Sequence, residues 1–150
     1  MSLAEEIKKE IYEREILAKE KRDKEAEEIR LERILIQEAI NDLIDNVNDD
    51  IMSLESLGYT VNQSYSKEPP SLTNKTWVIT GSNFHLTVKT GVRDIKKTRG
   101  IRYDNGEYED EWYVEKACIY VMEKDCVRSS IDNSREALDY IKKIILKGTV

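Results

Sequence analysis

The sequence predicts an α+β protein: a long N-terminal helix, an antiparallel meander sheet of four to five strands, and a C-terminal helix packed on the sheet. Three observations carry this. Residues 3–57 hold neither Pro nor Gly. Two hairpin dipeptides, Gly81-Ser82 and Asn105-Gly106, punctuate a region of alternating apolar and polar residues. An apolar repeat of threes and fours returns near the C-terminus. The implied organisation is a charged, coiled-coil-like helix over residues 1–57 and a small antiparallel α+β domain over residues 58–150.

The first helix has two halves. Within residues 5–33, twenty of twenty-nine positions are Asp, Glu, Lys or Arg. Glu6–Lys9, Glu15–Lys19, Glu20–Lys24 and Lys24–Glu28 sit three or four apart, and such pairs contribute about 0.2–0.5 kcal/mol each. Apolar residues are sparse there: Ile7, Ile11, Leu17, Ala18 and Ala26. Farther on, Ile29, Ile36, Ile40, Leu43, Ile44, Val47, Ile51 and Leu54 form one continuous stripe. Burying each of those side chains is worth about 1.5–3 kcal/mol, so the stripe is expected to face a folded core or the seam of an oligomer. Asn46, Asn48, Asp49 and Asp50 mark the expected place for a break or bend, and Gly58 supplies the stop. A straight helix of about 55 residues would be roughly 80 Å long. A domain of about ninety residues is roughly 30 Å across. Residues 3–28 are therefore expected to project, fray or pair.

The strands follow. Residues 59–65 read as a first strand, and 66–74, which hold both prolines, as a loop. Residues 75–91 read as a hairpin with Gly81 at the first central position of a type II′ turn. That register pairs Ile79 with Phe84 and Trp77 with Leu86, with His85 opposite Val78. In the second hairpin, Asn105-Gly106 as the loop pairs Tyr103 with Tyr108 and Arg102 with Glu109. Its returning strand runs to about Glu123 and is long enough to call for a bend or bulge. The second half of that strand is apolar on both faces, which marks it as central and covered. A helix from Ser134 to Lys147 closes the chain, with Asn133 and Glu136 as a capping box. Ala137, Leu138, Ile141, Ile144 and Ile145 form its apolar face.

Composition excludes several roles. The net charge of -6 gives no general attraction for nucleic acid or anionic membrane. No apolar run approaches the roughly 18 residues of a membrane span. The opening MSLAEEIKKEIYERE lacks the apolar core of a secretory signal, so a cytoplasmic location is expected, with Cys118 and Cys126 reduced and structural. A lone histidine, His85, and two cysteines eight apart cannot supply the paired ligands of a zinc site. GxxxxGK[ST] and GxGxxG are absent, so no phosphate cradle is encoded. A calcium loop around Gly106 would put Ile101 where the first Asp is required. No cofactor and no metal are expected. The carboxylates Glu107, Glu109, Asp110, Glu111 and Glu115 read as an acidic hairpin tip.

Two features point to partners. The stripe from Ile29 to Leu54 suits a second copy of the chain or a partner helix. Residues 92–102 carry Arg93, Lys96, Lys97, Arg99 and Arg102 against one acid, Asp94. Neutralisation by the acidic strand beside them is the plain account. A basic loop touching phosphate, with Tyr103 or Tyr108 stacking on a base, and a protein-binding loop are the alternatives. The leading expectation is a non-enzymatic protein-interaction module, oligomeric through its N-terminal helix, that regulates or inhibits a macromolecular partner. The others are a nucleic-acid-associated protein using residues 93–102, and a small-ligand binder with a pocket lined by Trp77, Trp112 and tyrosines.

Overall fold

The computed structural model of the protein describes residues 2–68, 72–103, 106–123 and 129–148. The chain is α+β. Helix α1 spans Leu3–Met52, a 3-10 turn follows at Ser53–Leu57, strands β1 to β5 span Thr60–Glu68, Leu72–Thr80, His85–Tyr103, Gly106–Glu123 and Ser129–Ile131, and helix α2 spans Ser134–Gly148. The residues group into two compact units, Met1–Leu35 and Ile36–Val150.

The first unit is helical from Leu3 onward. Ser2 Oγ accepts from the Glu5 amide at 3.3 Å, satisfying one of the orphan donors of the helix start. Glu27 takes two hydrogen bonds from the Arg30 guanidinium, at 3.1 and 2.6 Å. The hydrogen bond from Arg30 holds the Glu27 carboxyl below its ordinary value, and Glu27 in turn raises Arg30. The apolar content is larger than the five sparse residues suggest, because Leu3, Tyr12 and Ile16 are also exposed here, as are Leu31, Ile34 and Leu35.

The second unit begins inside the same helix. No break occurs at Asn46–Asp50: α1 continues to Met52, then tightens into the 3-10 turn. Gly58 ends it with φ +90, its amide donating a hydrogen bond to Glu55 O, in the left-handed conformation that a Cβ disfavours. Asn48, expected to weaken the helix, instead serves it. Its Oδ1 accepts from Lys75 Nζ at 2.7 Å and Trp77 Nε1 at 3.1 Å.

The five strands form one antiparallel sheet in sequence order. The first hairpin joins β1 and β2, pairing Val61 with Ile79 and Glu68 with Leu72. The expected loop over residues 66–74 is thus mostly strand, and its centre, residues 69–71, lies outside the described residues. The helix explains the extension. Gln37 on α1 brackets the Thr73 backbone, accepting from its amide at 2.7 Å and donating to its carbonyl at 3.0 Å.

The next two registers each differ from expectation by two residues. β2 pairs Ile79 with Leu86, Trp77 with Val88 and Thr80 with His85. The turn is Gly81–Phe84, closed by the Gly81 amide donating to Phe84 O at 3.0 Å. Gly81 is not at positive φ. It is needed because a Cβ there would lie 2.5 Å from the Phe84 ring, which packs edge-on against Tyr59 at 5.0 Å. In the long hairpin, Arg102 faces Glu107 and Ile101 faces Tyr108, with Tyr103 opposite Gly106. Asp104 and Asn105, between them, lie outside the described residues. The observed register sets Ile95 against Val114 and Arg99 against Asp110. The expected one would have set Ile95 against Lys116 and Arg99 against Trp112. A two-residue slip keeps every side chain on its face, so apolar patterning cannot discriminate between them. The ladder runs unbroken from Leu86↔Glu123 to Tyr103↔Gly106, without the expected bulge.

Helix α2 begins at Ser134 with Asn133 as its N-cap, the half of the expected capping box that the hydrogen bonds show. Asn133 Oδ1 accepts from the amides of Arg135 and Glu136 at 2.8 and 3.2 Å. Its buried residues Ala137, Ile141 and Ile145 join Ile40, Leu43, Val47 and Ile51 of α1 in one core with Val61, Trp77, Ile79, Leu86, Val88, Ala117, Ile119 and Val121. Strand pairing puts all of these strand residues on one face, so both helices cover the same side of the sheet. On the other side, Cys118 is buried. The Tyr120 ring lies over Gly91, where a Cβ would meet it at 2.6 Å, and its hydroxyl donates to Val92 O at 2.8 Å. Cys126 lies outside the described residues.

Candidate functional site

Two surfaces carry the expected functional residues, and the structure treats them differently. Along the helix stripe, Ile40, Leu43, Val47 and Ile51 are buried in the core of the second unit, and Ile36, Ile44 and Leu54 pack partly buried against it. They are occupied by the chain's own sheet. Ile29 belongs to the first unit and is 59% exposed.

Some of the uncovered positions of the first unit share one helical line. Ile7, Ile11, Ala18 and Ile29 are separated by 4, 7 and 11 residues, close to whole turns of a 3.6-residue helix. Ile36 follows by another 7. The line is interrupted by charge at Arg14, Arg22 and Glu25.

The second surface is the far part of the β3–β4 hairpin. The basic segment is not a loop: residues 92–102 lie within β3. β2 pairs with β3 only over His85–Lys89, and β5 pairs with β4 only over Ile119–Val121. Among the described residues, from Arg93 to Tyr103 and from Gly106 to Lys116, the two strands pair with each other alone. Neutralisation across the strands is visible in Lys96–Glu111 at 2.9 Å and Arg99–Asp110 at 3.1 Å. Arg93 reaches Asp132, with Lys116 at 3.5 Å from the same carboxylate, and donates to Ser130 Oγ at 3.4 Å. Among the described residues Lys97 carries no ion pair and is exposed. The side chains of Tyr103 and Tyr108 lie outside the described residues.

The two tryptophans part company. Trp77 is fully buried under the helices, whereas Trp112 is 42% exposed. Trp112 faces Lys97 on the opposite side of the sheet. The two rings stand on opposite faces of the sheet and do not face one another. Trp77 instead stacks with Lys75, whose Nζ lies 5.3 Å from its ring centroid and 5.2 Å from that of Tyr65. Sequence reasoning missed this knot. The only signal for it was a run of polar residues on an otherwise apolar helix face.

His85 is exposed and sits 3.3 Å from Thr80 Oγ1. No cluster of three or more His, Cys, Asp or Glu suited to a metal ion occurs among the described residues. No helix of the described residues is long and apolar enough to cross a membrane. Comparisons with protein-family models, with curated proteins and with solved structures find no match to this chain.

Proposed function

We propose that the protein is a non-enzymatic interaction module that self-associates through residues 3–35 of α1 and acts as a regulator or inhibitor of a macromolecular partner. One observation carries the reading. Residues 3–35 expose Leu3, Ile7, Ile11, Leu17, Ile29 and Leu35, among other large apolar side chains, at 49–72% of their surface. Single exposed apolar residues need no explanation. A series of them along one helix favours a covering partner. Each such side chain gains about 1.5–3 kcal/mol on full burial, which exceeds what exposed charge pairs contribute.

The test is light scattering on the full chain across a concentration series. A mass above that of one chain is expected, falling to one chain when Ile7, Ile11 and Ile29 are replaced by Glu. A strict monomer whose residues 3–28 exchange amide protons freely, with cell extract present, would sink the proposal.

A further inference from the structure

The β3–β4 ribbon separates its charge by face. The sequence suggests a basic strand beside an acidic one, but the pleat sends alternate residues to opposite sides. The register places Arg93↔Lys116, Ile95↔Val114, Lys97↔Trp112 and Arg99↔Asp110 on one face. It places Asp94↔Glu115, Lys96↔Tyr113, Thr98↔Glu111 and Gly100↔Glu109 on the other. The first face therefore holds Arg93, Lys97, Arg99 and Lys116 against Asp110, with Asp132 at its base. The second holds Asp94, Glu109, Glu111 and Glu115 against Lys96 and Arg102.

We infer that the face formed by Lys97, Arg99 and Trp112 binds single-stranded nucleic acid. Charge complementarity names a polyanion. The overall charge of -6 does not oppose it locally, because exposed charges beyond about 8–10 Å are screened at physiological salt. The aromatic group narrows the choice. Trp112 is 42% exposed, lies directly opposite Lys97, and has the Arg99 guanidinium 5.8 Å from its ring centroid. An exposed ring among cations offers a base something to stack on while the backbone meets the ammonium and guanidinium groups. Bases in a duplex are already stacked and cannot use the ring. An acidic peptide would use the cations and leave the ring idle. Ile95 and Val114 beside the ring extend the flat apolar surface toward the body of the sheet.

The experiment is fluorescence anisotropy of a labelled fifteen-nucleotide oligothymidylate titrated with the full-length protein. Saturable binding is expected, weakening with salt at a slope of roughly -0.7 per phosphate neutralised. Lys97→Gln should weaken it at least fivefold, and Trp112→Ala likewise. Lys96→Gln, the same change one residue away on the acidic face, should stay within twofold. Circular dichroism confirms that each variant folds. If Trp112→Ala fails to fold, Trp112→Leu replaces it with the same expectation. Absence of saturable binding overturns the inference. Equal losses from Lys96→Gln and Lys97→Gln, equal affinity for a duplex of the same length, or equal competition by polyglutamate each overturn it as well. None of these outcomes depends on whether the N-terminal helix self-associates.

Discussion

The side-chain oxygen of Asn48 on α1 accepts a hydrogen bond from the indole Nε1 of Trp77 at 3.1 Å, between helix and sheet. The same oxygen accepts from Lys75 Nζ at 2.7 Å. Lys75 is 4% exposed and Trp77 fully buried, so one acceptor serves two donors that have lost most of their water. Asn48→Ala should therefore destabilise the protein by about 2–3 kcal/mol, because both donors are left without that partner. Asn46→Ala, on the exposed side of the helix, should stay within about 0.5 kcal/mol. Urea denaturation midpoints separate the two.

Gln37 fixes the start of β2 through both ends of its amide, to the Thr73 amide and carbonyl. Gln37→Ala should cost about 1–2 kcal/mol. It should also speed amide exchange at residues 72–75 more than at residues 77–79. Uniform acceleration across β2 would contradict a local clamp.

Gly91 lies under the Tyr120 ring, which its hydroxyl anchors to Val92 O. Gly91→Ala should destabilise by about 1–3 kcal/mol through overpacking. In a Tyr120→Ala background the penalty should disappear. A double-mutant cycle gives the coupling, and additive effects would show that the ring is not the obstacle.

Ile40 and Ile29 are alike in sequence pattern but differ in burial, at 0% and 59% exposed. Ile40→Ala should cost about 2–5 kcal/mol, including the cavity left behind. Ile29→Ala should leave the dilute protein's melting temperature nearly unchanged and lower its mass at high concentration. Calorimetry and light scattering check each half.

Asn133 caps α2 with two bonds from one oxygen. Asn133→Ala should cost about 1 kcal/mol, and Asn133→Ser much less. Thermal melts of the three proteins suffice.

Much of the fold was legible because its signals are local. Gly58, Asn133 and the Ala137–Ile145 repeat act within a turn or two of themselves, so backbone sterics and periodicity are enough to place them. The face of β3 was legible for the same reason: Leu86 and Val88 alternate with His85, Thr87 and Lys89. The candidate site was less so. The cations Arg93 to Arg102 stand out in sequence, but whether they form a loop, a strip along one strand or one face of a ribbon depends on pairing partners far along the chain.

The sequence alone determined that a charged helix changes at its middle to an apolar stripe, that a meander follows, and that a capped helix closes it. Those features follow from local propensity and burial period. Tertiary structure decided the rest. It chose hairpin registers two residues away from those the turn dipeptides favoured, since both choices bury the same faces and only cross-strand partners such as Ile95–Val114 and Arg99–Asp110 tell them apart. It gave most of the stripe from Ile36 to Leu54 to the chain's own core and left Ile29 uncovered. It turned Asn48 from a suspected helix breaker into the acceptor that ties helix to sheet. Which polar group is a weakness and which a tie depends on what packs against it, and a linear sequence carries that information only in pairs of distant residues.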